Sequence, residues 1–305
     1  MPLEDLPDWL PGWCLDHLGR EPADVLFQVQ QVSMVFGLRL LGDMDVVVKA
    51  RPNDGRAASC VAAQAQLAER GFPCPRPLTP VVGVGSLAVH AEEFRPGGEV
   101  LQGDSPDIAA RCAKEFARLM GELADVTVAP PLPNPPWVRW DHTDHGVWPA
   151  VDGLDKRDQS AVPAYIVDTA AQARRRLLAA ELPCVLGHAD FEAQNLRWHG
   201  REIWAVHDWD SLAWQPEAAL AGAASGAFAS SGSPTLAPIE SSEAFLVVYQ
   251  DRRKRLFTAV EQEVAWAASV WMEAYNQWEF FHDDTPLSGD ALRAQAAERL
   301  RRAGA

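Results

Sequence analysis

Hydrophobic residues recur in two rhythms along this 305-residue chain. Between residues 24 and 94 they come in short runs rich in valine, leucine and phenylalanine, at 24–29, 35–40, 45–50, 81–84 and 87–94. Runs of this length, bounded by Gly42-Asp43, Asn53-Asp54-Gly55 and Gly85-Ser86, predict strands joined by tight turns. The β-branched run at 46–48 predicts the most buried of them. Residues 56–70 are rich in Ala and Gln and predict one helix, stopped by Gly71. A short helix is expected at 9–18, kinked or delayed by Pro11 and Gly12.

Past Arg95-Pro96-Gly97-Gly98 the spacing becomes helical. Ile108, Cys112, Phe116, Leu119 and Leu123 fall on one helical face of 107–124. Helices are also predicted at 163–182, 217–228 and over most of 242–279. The proline cluster at 130–136 excludes regular structure. Short strand-like runs lie at 183–186, 196–199 and 203–207, and residues 211–216 read as a passage leading directly to a helix. The prediction is an α+β chain cut near residue 95, with an antiparallel sheet and one helix in 1–95 and a larger, mainly helical part in 96–305.

Composition narrows the class. The chain is 48% hydrophobic and 23% charged, which is ordinary globular usage. Its net charge of −15 argues against a general role on nucleic acid. Five scattered cysteines without a CxxC, and an acidic N-terminus without an apolar run, fit a reduced cytoplasmic protein that does not enter the membrane.

The candidate chemistry lies in two segments. Residues 186–195 contain His188-x-Asp190-x-x-x-x-Asn195, and 203–210 form an apolar run ending in Asp208-Trp209-Asp210. Phosphoryl transfer needs an acceptor hydroxyl held in line with the transferred phosphorus and a divalent metal over the phosphate oxygens. A loop aspartate such as Asp190 can accept the hydroxyl proton. Asn195 can turn an amide oxygen to Mg²⁺, and Asp208 can supply a hard carboxylate.

This pair of motifs resembles the aminoglycoside phosphotransferase and choline kinase superfamily, the small-molecule branch of the protein-kinase-like fold. That family reads H-G-D-x-x-x-x-N and then D-W/F-E/D; here Ala189 replaces the Gly, and Asp210 the final acid. The resemblance implies a bilobal protein-kinase-like fold with a small N-lobe over the nucleotide. It implies ATP or GTP and Mg as cofactors, Asp190 as base, and Asn195 and Asp208 as metal ligands. Lys49 would hold the α- and β-phosphates. Residues 31–34 would cover the nucleotide, with Ser33 as a cap. Glu92, Glu93 and Phe94 would form the hinge whose backbone reads the adenine edge. His188 would brace the catalytic loop, and Asp210 would cap or support its own. The family's helix glutamate, the partner of that lysine, is absent. No acid lies between 56 and 67; Gln64 is the polar substitute, and Lys49 would pair with Asp208 or with the nucleotide alone. A nucleotide-binding pseudokinase is therefore the alternative, and a protein kinase ranks lower because no activation loop follows Asp208.

The acceptor, an aminoglycoside, amino sugar or similar small hydroxyl compound, would meet Glu192, Glu217, Trp271, Glu273, Tyr275 and Glu279, acids that suit a cationic molecule. Antibiotic resistance is the implied setting, and the enzyme a monomer or homodimer. Asp141 to His145 resembles a metal cluster but lacks a well-spaced ligand set. Arg174, Arg175 and Arg176 read as a solvated helix face, and Trp266, Trp271 and Trp278 as packing.

Overall fold

The computed structural model describes residues 3–30, 33–283 and 289–305. Two compact units emerge. One comprises Met1–Gly98, Thr127–Leu132 and Trp204–Asp210; the other comprises Glu99–Val126, Pro133–Ile203 and Ser211–Ala305. A single cut near residue 95 thus misses two short segments, 127–132 and 204–210, that fold with the N-terminal residues.

In the first unit, α1 (Trp9–Leu18) precedes β1 (Pro22–Gln30), β2 (Met34–Leu40) and β3 (Met44–Pro52). Then come α2 (Ala57–Glu69), β4 (Val82–Val84) and β5 (Leu87–Glu93). Pro11 leaves α1 unbroken because it lies in the first turn, where backbone N–H groups have no helical partner. The five strands form one antiparallel sheet in the order β1-β2-β3-β5-β4. Gly42 and Asp43, both with positive φ, turn β2 into β3. Opposite Gly37 on β2 stands Phe27 on β1, and a Cβ at Gly37 would run into the Phe27 ring. Gly71 (φ 80°) ends α2, with the Phe72 and Gly71 N–H groups donating back to Leu67 and Ala68.

Strand alternation divides the sheet chemically. Val46, Val48 and Ala50 join Phe36, Leu38, Leu40, Val89 and Ala91 in a core closed by Leu10, Trp13 and Cys14 of α1. Side chains alternate faces along a strand, so Val47, Lys49 and Arg51 point away from that core. Antiparallel register sets Lys49 beside His90 and Val47 beside Glu92. Both faces of β3 are covered, which explains six consecutive buried residues from 46 to 51.

The second unit contains α3 (Pro106–Leu123), α4 (Ala164–Leu178), β6 (Cys184–His188) and β7 (Leu196–His199). After β8 (Glu202–Val206) the chain continues into β9 (Leu212–Pro216), α5 (Glu217–Ala227), α6 (Ile239–Arg253), α7 (Ala259–Phe280) and α8 (Gly289–Ala303). One expectation changes and two gain detail. Residues 212–216 are a strand: β9 pairs antiparallel with β6, Gly187 opposite Ala213 and His188 opposite Leu212. The region expected to be mostly helical at 242–279 divides into two helices, because Lys254 turns left-handed (φ 53°) and Thr258 starts α7 with a capping box to Glu261. A further helix, α8, follows.

Burial all round marks α7 as the central helix of this unit. It packs on α5 through small residues: a Cβ at Gly222 would enter the Ala265 backbone, and one at Gly226 would lie 3.0 Å from the Ser269 carbonyl. Trp266, Trp271 and Trp278 are buried here. The expected solvated arginine face is otherwise employed. Arg174 donates to the Trp140 and His142 carbonyls, and Arg176 pairs with Glu263, so two of the three arginines fasten loops and helices. The Asp141–His145 stretch is likewise a tied loop, with His142 on the Val147 carbonyl and Asp144 accepting from Ala150 N–H.

Candidate active site

The motif around Asp190 is built by β6 and the turn that follows it. The Ala189 N–H donates to the Ser211 carbonyl (2.8 Å), prolonging the β6–β9 pairing to the residue before Asp190. Ala189 is buried and is not among the positive-φ residues, so the missing glycine costs no backbone strain. His188, 1% exposed, accepts from the Asp190 N–H through Nδ1 (3.2 Å). That bond places its proton on Nε2. Phe191 anchors the next step of the loop, buried against Phe116 with ring centroids 4.9 Å apart.

Asn195 closes the loop on itself. Its Nδ2 donates to the Asp190 carboxylate (2.7 Å) and to the Asp190 carbonyl (3.0 Å). Two oxygen acceptors fix which end of the amide is nitrogen, and Oδ1 is left turned away from them. That is the atom a hard cation would take.

The segment with Asp208 belongs to the first unit. β8 is moored there by the Val206 N–H on the Pro73 carbonyl (2.8 Å). Trp209 is 1% exposed, its Nε1 on the Val206 carbonyl and its ring edge-on to Phe72. Asp208 sits between them with φ 58°, a left-handed conformation that Asp tolerates better than most residues. Asp210 pairs with Arg51 of β3, and its carbonyl receives the Cys60 thiol of α2. Support for the loop, the role expected of Asp210, thus takes the form of an ion pair. Burial pulls the Arg51 guanidinium below its ordinary range, against the pull of Asp208. The sequence reading missed Arg51. Its signal was the alternation Lys49-Ala50-Arg51, two cations on one face of an otherwise apolar strand.

Lys49 pairs neither with Asp208 nor with nothing. Its Nζ lies 3.0 Å from Oε1 of Glu92 on β5, with the lysine 8% and the glutamate 2% exposed. Gln64 of α2 donates to the other oxygen, Oε2 (2.9 Å), and to the Pro75 carbonyl (2.8 Å). Burial works to raise the Glu92 carboxyl, but Lys49 and the hydrogen bonds outweigh it and hold the group below the usual carboxylate range. His90, beside Lys49, is driven down to about 3 by burial and stays neutral. The Glu92 side chain therefore faces inward, and a hinge role is confined to its backbone. The Glu93 N–H is committed to the Arg76 carbonyl (2.8 Å), and its side chain pairs with Arg76 at the surface. Phe94 and Phe27 are half-buried with centroids 5.9 Å apart, an aromatic surface suited to a flat base. Ser33 is a partly exposed bend before β2; Gln31 and Val32 lie outside the described residues.

The expected acceptor residues divide sharply. Trp271 and Tyr275 have no exposed surface, Trp271 donating to the Trp137 carbonyl and Tyr275 lying against Trp148. Glu273 is buried and accepts from Gln277 (2.7 Å); Glu192 is buried and accepts from Gln194 (2.9 Å). Glu217 holds the Tyr249 hydroxyl (2.6 Å) and Arg253 (2.9 Å). These five side chains are buried or engaged with neighbouring groups. Glu279 is partly exposed, and burial raises its carboxyl to about 7 in spite of Arg157.

Among the described residues, no group of three or more His, Cys, Asp or Glu is placed to hold a metal ion, and no helix is long and apolar enough to cross a membrane. Mg²⁺ usually takes only one or two protein ligands beside phosphate and water, and an amide oxygen or a carboxylate is each a donor of the hard kind it accepts.

No curated protein sequence matches the chain. Among solved structures, an amicoumacin kinase in complex with AMP-PNP, Ca²⁺ and its antibiotic is similar, with TM-score 0.63 and 13% identity over 93% of this chain and 88% of that one. A thermostable mutant of the aminoglycoside phosphotransferase APH(4)-Ia, bound to AMP-PNP and hygromycin B, gives TM-score 0.57 and 14% identity over 97% and 99%. A choline/ethanolamine kinase family protein from Mesorhizobium loti gives TM-score 0.53 and 17% identity over 92% and 87%. These likenesses show the protein-kinase-like fold. The model of the phosphotransferase enzyme family matches residues 38–237, well over half of the chain, which therefore belongs to that family.

Proposed function

We propose that this phosphotransferase is a cytoplasmic small-molecule kinase that moves the γ-phosphate of ATP or GTP to a hydroxyl of an aminoglycoside, amino sugar or similar acceptor. The observation that carries the reading is the Asn195 amide, whose nitrogen holds the Asp190 carboxylate at 2.7 Å and whose oxygen is thereby presented for a cation. In this reading Asp190 orients the acceptor hydroxyl and takes its proton as the oxygen attacks the γ-phosphorus and the nucleoside diphosphate leaves. Lys49 holds the α- and β-phosphates, and Phe27 and Phe94 receive the base. Asn195 and Asp208 would hold Mg²⁺, which when bound neutralises charge developing on the phosphate oxygens. Glu279 is the acid of the expected acceptor set that keeps both partial exposure and an uncommitted carboxylate, and it would meet a cationic acceptor. The pseudokinase alternative rested on the missing helix glutamate; the carboxylate beside Lys49 is that of Glu92.

The test is a coupled nucleotide-consumption screen with Mg²⁺ over aminoglycosides, amino sugars, choline-type amines and hydroxy amino acids. Turnover is expected with one class, falling about 10²- to 10⁴-fold in Asp190→Ala. A protein that binds neither Mg²⁺–ATP nor Mg²⁺–GTP overturns the proposal.

A further inference from the structure

The charged cluster on the inner face of β3 and β5 carries an inference that rests on the kinase reading above. In kinases the phosphate-binding lysine is held by a glutamate on the helix that follows its strand. We infer that in this chain Glu92, on the strand next to Lys49, is the residue that orients the lysine for the phosphates, and that Gln64 on α2 is the clamp that holds Glu92.

The geometry supports each half. Glu92 stands diagonally across from Lys49, since its direct partner is Val47 and that of Lys49 is His90. Side chains one pleat apart on a shared face remain within reach when they are long. Each carboxylate oxygen has its own donor: Oε1 receives Lys49 (3.0 Å) and Oε2 receives Gln64 (2.9 Å). The remaining neighbour, the neutral His90 ring, is 3.9 Å from Oε2. Both ionic partners are nine-tenths or more buried, where removing one charge strands the other.

This explains why residue 64 is an amide. A carboxylate at 64 would face the Glu92 carboxylate and lose the donor that Oε2 and the Pro75 carbonyl share. The glutamine is therefore not a weakened copy of a helix acid. It is the complement of an acid placed on the sheet.

The experiment measures dissociation constants for the Mg²⁺ complexes of AMP-PNP and GMP-PNP by calorimetry on the full chain. Glu92→Gln is expected to weaken nucleotide binding about tenfold or more. In a Lys49→Ala background the same substitution should change nothing further, because Glu92 acts through Lys49. The exchange Gln64→Glu with Glu92→Gln should recover most of the binding lost in Glu92→Gln. Binding in Glu92→Gln equal to that of the wild type, or a loss undiminished in the Lys49→Ala background, overturns the assignment while leaving the kinase reading intact. A wild-type chain that binds neither nucleotide overturns both. If Glu92→Gln does not fold, Glu92→Asp, which keeps the charge but shortens its reach, enters the same cycle with a smaller expected loss that again vanishes without Lys49.

Discussion

The two units hold their candidate site residues by different means. In the sheet unit, charge holds charge: Lys49 by Glu92, and Asp210 by Arg51. In the helical unit, neutral groups take part in placing Asp190: the β6–β9 ladder, the His188 ring, the Asn195 amide and the Phe116–Phe191 pair. Helix packing there depends on the absence of side chains, at Gly222 and Gly226 against α7. A charged clamp is selective but fails when one partner is lost. A packed scaffold ignores charge and fails when volume is added.

The largest expected effect tests the second half of that contrast. Gly222→Val drives a branched side chain into the α7 backbone and should cost at least about 3 kcal/mol or abolish folding, read as thermal midpoint and soluble yield. A midpoint within a degree of wild type would show that α5 and α7 separate easily. Next comes Arg51→Ala, which strands Asp210 and should cost about 3 kcal/mol in denaturant unfolding. The double change Arg51→Met with Asp210→Leu should cost far less, since two apolar groups need no counterion. Equal losses in both would remove charge pairing as the reason.

The smallest effect separates the units by pH. The Glu279 carboxyl is raised from 4.5 to about 7, so the folded state keeps a proton that the unfolded chain releases. Its favourable contribution is complete below pH 4.5, fades as pH rises to about 7, and amounts to about 3 kcal/mol at most. Glu279→Gln should remain level across that window. His90, depressed from 6.5 to about 3, works the other way, because the unfolded chain takes the proton first. Stability from the sheet unit is therefore lost as pH falls below 6.5, and the Glu92 carboxylate, held low, acts in the same direction. Unfolding midpoints from pH 4.5 to 8 in wild type, Glu279→Gln and His90→Gln would show opposite slopes restored, or a common slope that defeats the distinction.

Much of this was legible in the chain. Runs of β-branched residues located β1, β2, β3 and β5, since strand propensity and turn residues agree there. The order of the motifs led to the family, because the spacing of chemical groups survives where sequence drifts. What escaped was mostly pairing. Strand β9 is only five residues long and contains Pro216, so it exists because β6 needs a neighbour. Glu92 read as part of the hinge; only the register of β5 against β3 turns its side chain toward Lys49. The surroundings of the expected acceptor acids were hidden for a related reason. Acids on helices are ordinarily exposed, and nothing local marks Glu217 as the partner of Tyr249 and Arg253, 32 and 36 residues away.

The sheet-borne carboxylate also bears on how relatives are sorted into living and degenerate members. A criterion that asks for an acid at one helix position would strike this chain from the living, because it inspects an address. Measured instead by the distance from the lysine nitrogen to the nearest carboxylate, 3.0 Å here, nothing has been lost. A carboxylate on a strand can stand beside the lysine as one on a helix would, so loss of the pair is better judged in space than in alignment columns.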